Sequence, residues 1–289
     1  MSRLRRGIPK IDGVLATLLV LLAIAATVPV WRDIVYMATR DEEQSHILLA
    51  LPIAIWLAWQ RRERLRRWEK RGTWIGPLLI ALGYALSAFG FSRGVQILWH
   101  GGALAMVVGA LLSVFGVQVA WKLAPAFGAL AFVLPIPGFL RFRIAQPLQE
   151  ASAWATNFLM DLFGAPVSRM GNALMINGHE VAVAEACNGM RMVAALALIS
   201  YFFVFTVPMR MSVRLFILAI SPIIAVIVNV IRLVPTVLFY GYLDAELASF
   251  LHDVSGWLSL ALALGLLWLL LALLRWIEVP LTPYAVSEE

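Results

Sequence analysis

The single cysteine of the chain stands in the run Glu185-Ala186-Cys187-Asn188-Gly189-Met190-Arg191. One cysteine excludes an intramolecular disulfide and any multi-cysteine zinc site, so this sulfur serves packing or reactivity. The apolar stretch after it places Cys187 at a helix start, where unpaired N–H groups and the positive dipole end favour a thiolate. Arg191 follows one turn deeper on the same face and adds a positive charge. A lone cysteine in a membrane helix is otherwise a small packing residue, and position alone leaves both readings open. The second candidate is Arg232, in Asn229-Val230-Ile231-Arg232-Leu233-Val234-Pro235. An arginine inside an apolar helix costs at least ~2.5 kcal/mol, which marks either a site or a head group snorkelling to the lipid surface. The third is His252, with Asp253 beside it. A neutral imidazole accepts a thiol proton and returns it to a leaving amine. The competing reading is an interfacial histidine at a helix start, capped by Asp253. Together the three form a coherent set: cysteine and histidine are the minimum for a thiol nucleophile with an acid–base partner, and a fixed arginine stabilises an oxyanion.

The elements that must position these groups are set by composition. Hydrophobic residues make up 62% of the 289 residues and charged residues 14%, against about 45–50% and about 25% in soluble domains. Water cannot be the main solvent of such a chain. The net charge of +6 is no nucleic-acid footprint, because the basic residues sit in short runs beside apolar stretches, where they act as topology determinants. Runs long enough to cross a bilayer predict an all-α polytopic fold of about eight spans, at 11–31, 45–60, 73–91, 95–116, 121–140, 188–207, 215–240 and 254–274. The first reads as a retained anchor, being too long for a usual signal-peptide core. The fifth breaks at Pro135-Ile136-Pro137-Gly138. With the N-terminus inside, Arg3, Arg5, Arg6, Lys10, the basic cluster at 61–71, Lys122, Arg210, Arg214 and Arg275 all fall on the cytoplasmic side. Both termini are therefore expected in the cytoplasm, and Cys187, Arg232 and His252 at the outer face.

Between the fifth and sixth spans the pattern changes. Apolar residues at helical spacing over 141–163 predict an amphipathic helix on the outer interface. Asn177-Gly178 between short alternating runs predicts a β-hairpin directly before Cys187. These segments form an extracytoplasmic cap, 141–186, within a single domain, 1–289. Of the remaining histidines, His46 lies on the outer face beside Ser45, His179 flanks the hairpin turn, and His100 is expected to hydrogen-bond between helices. Four scattered histidines without carboxylate spacing make no metal site, and no metal or cofactor is expected.

With these residues in place, the chain resembles the exosortase/archaeosortase family of multi-pass membrane transpeptidases. Ala186-Cys187-Asn188-Gly189-Met190-Arg191 is similar to that family's Ala-Cys-Ser-Gly-Leu-Arg box. The resemblance continues in Asn229-Val230-Ile231-Arg232, in His252-Asp253-Val254-Ser255-Gly256-Trp257, in Ser45-His46 and in the Pro135-Ile136-Pro137-Gly138 break. Asn188, Met190 and Ile47 depart from the family's serine, leucine and glycine, and none of these changes removes a catalytic group. The resemblance implies Cys187, Arg232 and His252 as the catalytic set. Arg191, Glu185, Asn188, Asn229, His46 and Asp253 are expected as supporting or substrate-binding residues. It also implies exported protein substrates that carry a C-terminal motif, a transmembrane helix and a basic tail. The same resemblance implies transfer of their cleaved carboxyl group to an acceptor, expected to be an amine on a lipid or polysaccharide. A hydrolase without transfer, and a non-enzymatic transporter or polysaccharide-export subunit, are the rival readings.

Overall fold

The computed structural model describes residues 10–65, 73–182 and 189–276. They fall into two compact units, Met1–Pro137 and Gly138–Glu289.

In the first unit, α1 (Lys10–Ala26) and α2 (Val28–Arg40) meet at an angle of 82°. The expected span 11–31 is thus not one straight helix. Pro29, in the first turn of α2, lacks the N–H that would continue the α1 ladder, and its ring excludes the carbonyl four residues back. Thr27 fills the corner: its Oγ1 donates to the Ala23 carbonyl at 2.7 Å and accepts from Trp31 Nε1 at 2.9 Å. The first unit continues with α3 (Ile47–Gln60), α4 (Ile75–Arg93), α5 (Gln96–Phe115), α6 (Val117–Lys122) and α7 (Ala124–Leu130). Helices α4 and α5 pack along their lengths through glycine. A Cβ on Gly83 would lie 2.7 Å from the Gly102 carbonyl oxygen, and one on Gly109 would lie 2.9 Å from that of Gly76. Such contact lets backbones approach where lipid supplies no hydrophobic drive between helices. The expected span 121–140 is also interrupted. Helix α7 gives way to a tight turn over Ala131–Val133, and the chain extends at Leu134 before the prolines.

The second unit opens with α8 (Gly138–Leu162), followed by β1 (Val167–Met170), β2 (Ala173–Ile176) and β3 (His179–Ala182). The strands form one antiparallel sheet in the order β1-β2-β3, with Leu174 opposite Val181. Asn177 (φ 50°) and Gly178 (φ 80°) make the two-residue turn between β2 and β3, the backbone that matches strand twist and selects Asn-Gly. β1 is a strand beyond the expected hairpin. Only Val167 of its four residues is buried, so no alternation marks it. Helices α9 (Gly189–Thr206), α10 (Met211–Tyr242) and α11 (Ala245–Trp276) complete the unit.

The second unit has two apolar centres. In one, Leu174, Ile176 and Val181 of the sheet pack with Ala153 and Met160 of α8 and with Leu233 and Val237 of α10. In the other, Leu196 and Val204 of α9 meet Ile217, Ile224 and Val228 of α10 and Ala263 and Leu267 of α11. Helix α8 exposes several aromatic side chains. Phe139, Phe142, Trp154 and Phe158 are exposed, while the buried residues include Ala145, Ser152, Ala153 and Thr156. These aromatics share the exposed surface with Arg143, Gln146, Glu150 and Asp161, a mixed surface that suits the membrane interface.

Four helices among the described residues are long and apolar enough to cross a membrane, and up to six spans result if each of two bent pairs counts as one. Ile47–Gln60 and Val193–Thr206 are shorter apolar helices.

Candidate active site

Arg232 lies on α10 directly before residues turned to the sheet. Its neighbours Leu233 and Val237 are buried beneath β2 and β3. That packing fixes which side of α10 faces the sheet and leaves Arg232 on the side toward α11. There its Nη2 lies 3.2 Å from His252 Nε2. A guanidinium only donates, so a hydrogen bond at this contact requires Nε2 as the acceptor and a neutral imidazole with its proton on Nδ1. Arg232 Nε donates to Ser255 Oγ at 3.4 Å, and Ser255 Oγ donates to the His252 carbonyl at 2.7 Å. The serine thus joins the arginine to the backbone of the histidine's own turn. A Cβ on Gly256 would sit 3.6 Å from Arg232 Nη2, so this glycine faces the guanidinium at ordinary contact distance. The Tyr240 ring lies 6.3 Å from that of His252, centroid to centroid.

His252 and Asp253 do not begin their helix. α11 starts at Ala245, nine residues before the expected span 254–274. The reading of Asp253 as a helix cap is thereby corrected. Glu246 and Asp253 lower the hydropathy of these turns without interrupting their hydrogen bonds. Asp253 is exposed, and His252 is half-buried.

Asn229, one turn before Arg232, is buried, and its Nδ2 donates to Ser152 Oγ of α8 at 3.0 Å. His46 belongs to the first unit. It is buried just before α3, with Nδ1 3.3 Å from the Glu43 carbonyl. His100 pairs with Asp33 across α5 and α2, Nε2 to Oδ2 at 2.9 Å, and His179 is exposed on β3. Cys187, Glu185 and Asn188 lie outside the described residues. Arg191 is in the first turn of α9. The described residues on either side of 183–188 both belong to elements packed on α10, since β3 contributes Val181 beside Leu233 and α9 contributes Leu196 beside Val228. No group of three or more His, Cys, Asp or Glu among the described residues could hold a metal ion.

Sequence reasoning singled out Arg232, His252 and Asn229 but passed over Ser255 and Ser152. Ser255 carried a signal, because it sits three residues after His252, on the same helical face. Ser152 carried none: its partner is 77 positions away.

Apolar helices and an arginine–histidine pair joining two of them describe a polytopic membrane protein with a polar site among its helices. The model of the transmembrane exosortase family (Exosortase_EpsH) matches residues 31–269. The chain belongs to that family and is an integral membrane protein. No curated protein and no solved structure matches it significantly.

Proposed function

We propose that the protein is a membrane cysteine transpeptidase of the exosortase type. Its substrates are exported proteins that end in a short motif, a transmembrane helix and a basic tail. It cleaves them at the outer face of the cytoplasmic membrane, with both of its own termini inside and eight segments crossing. The single observation that carries the reading is the 3.2 Å contact between Arg232 and His252, two ionisable groups from different apolar helices of an exosortase-family chain. The packing of β3 and α9 on α10 supports it, since these elements flank the segment that holds Cys187.

The chemistry follows from the protonation state of that contact. His252, neutral while Nε2 accepts from Arg232, takes the proton of the Cys187 thiol. Once Nε2 carries a proton, both partners are donors and both are cationic, so the contact is lost. Arg232 then turns its N–H to the carbonyl oxygen under attack. Proton uptake and oxyanion stabilisation are in this way coupled. The sulfur adds to the scissile carbonyl carbon, the C–N bond breaks, and the imidazolium returns its proton to the leaving amine. The resulting thioester is resolved when an acceptor amine attacks the carbonyl and the cysteine sulfur leaves. Arg191 favours the thiolate, Glu185 orients Arg191 or His252, and Asn188, His46 and Asp253 contribute to substrate binding. Residues 141–186 act as the cap against which the motif docks, and both units work as one exosortase domain.

The test is trapping. A protein ending in a candidate sorting signal is incubated with the purified enzyme in liposomes. A hydroxylamine-sensitive adduct is expected on Cys187, and Cys187→Ala is expected to abolish cleavage, a fall of at least about 10³-fold. Undiminished cleavage by Cys187→Ala would defeat the reading. Product that carries water's oxygen and no acceptor mass would restrict it to hydrolysis.

A further inference from the structure

We propose that Ser152 and Asn229 are positioning residues for Arg232: their hydrogen bond sets the rotation of α10 against α8 and keeps the guanidinium turned to His252. The inference rests on Arg232 being the oxyanion group of the function proposed above.

The pair is a polar contact in a crevice whose other lining residues are apolar. Asn229 Nδ2 donates to Ser152 Oγ at 3.0 Å, and the two residues are 2% and 1% exposed. They line a crevice with Leu148 of α8, Val193 of α9 and Ala225 and Val226 of α10, too tight to admit a water molecule. Asn229 Oδ1 is buried there without a hydrogen-bond partner among the described residues. Flipping the amide does not help, because it only exchanges an unpaired oxygen for an unpaired nitrogen. A buried amide left half-satisfied is destabilising relative to an apolar side chain of similar shape. The pair therefore does not serve stability. What a buried polar contact among apolar side chains does supply is register, as buried asparagines do between coiled helices.

Arg232 needs such a device because its own helix is weakened beside it. Pro235 lies inside α10. It has no N–H to donate to the Ile231 carbonyl, and its ring crowds that carbonyl. Thr236 Oγ1 donates to the Arg232 carbonyl at 2.9 Å, a back-bond of the kind that bends helices. The turn carrying Arg232 is thus loosened on its C-terminal side and must be held from its N-terminal side. Asn229 sits there, three residues earlier, about 60° around the helix from Arg232. Clamped to α8, it leaves Arg232 on the adjoining face, toward α11. A rotation of α10 by one residue, about 100°, would carry the guanidinium away from His252.

The experiment compares two variants with the parent, using the full chain in liposomes and a substrate protein bearing a sorting signal. Ser152→Ala removes one oxygen. Ser152→Ala with Asn229→Leu replaces the pair by apolar groups. The double variant is expected to unfold at the parent's temperature or above it. In both variants kcat should fall at least tenfold per folded molecule while KM changes less than twofold. In an Arg232→Lys background, Ser152→Ala should add no further loss. Full kcat in either variant, activity lost only in proportion to folded protein, or an additive loss in the Arg232→Lys background would overturn the inference. If the double variant fails to fold, Ser152→Ala alone decides. Cys187→Ala separates the two levels: cleavage surviving it sinks the proposed function, whereas cleavage abolished by it and untouched by Ser152→Ala sinks only the positioning role.

Discussion

Two helix pairs of this protein are each joined by a short turn, and they are packed by opposite means. α4 and α5 meet through glycines, with backbone against backbone. Gly102 faces the Gly83 carbonyl and the Ser87 amide so closely that a Cβ has no room. α10 and α11 meet through side chains: Arg232 spans to His252 and Ser255, and the glycine at the contact, Gly256, leaves ordinary van der Waals space. The first pair gains dispersion contact, the main attraction available between helices in lipid. The second holds a charged group between its helices, which is costly in the membrane. Glycine therefore has two meanings in this chain, and only the distance to its neighbour separates them.

That contrast can be broken at three points. The largest effect is expected from Arg232→Lys. A single ammonium cannot reproduce donors placed at both Nε and Nη2, so kcat should fall about 10²-fold or more with little loss of folded protein. Steady-state kinetics beside a thermal melt reads this directly, and unchanged kcat would place the α10–α11 contact with the structural pair. Next comes Gly102→Leu. Its side chain must push α4 and α5 apart, costing on the order of 1–3 kcal/mol. A lowered unfolding temperature with normal turnover per folded molecule is the expected result, and a melt equal to the parent's would remove glycine packing as the reason for the close approach. The smallest effect belongs to Gly256→Ala. Its Cβ fits at 3.6 Å from Arg232, and alanine stabilises a helix interior by about 0.5–1 kcal/mol relative to glycine. A slightly higher melting temperature with activity within about threefold should follow; collapse of either would show that the space over the guanidinium is needed.

Legibility differed from element to element for physical reasons. The turn at Asn177-Gly178 could be read because few residue pairs adopt positive φ at both positions. The break after α1 could not, since the apolar run continues on both sides of Thr27 and hydropathy does not register one missing N–H at Pro29. The start of α11 lay hidden because the helix extends past its apolar portion, through Glu246 and Asp253, while the expected span began at Val254. β1 escaped because one buried residue in four makes no pattern. Arg232 and His252 stood out one by one as ionisable groups in or beside apolar runs. Their contact could be inferred only from both falling at one face of the membrane, and Ser152 offered no such clue.

By itself the sequence determined where the chain is apolar enough to leave water, where it must turn, and which few residues carry charge or a thiol into that setting. Only the tertiary structure decided that Arg232 faces His252 and Ser255 rather than lipid, and that Asn229 reaches Ser152. In lipid both the outward and the inward sides of a helix are apolar, so periodicity does not reveal its rotation. Hydrogen bonds of about 3 Å form or fail on that rotation, and packing against the neighbouring helices and the sheet sets it.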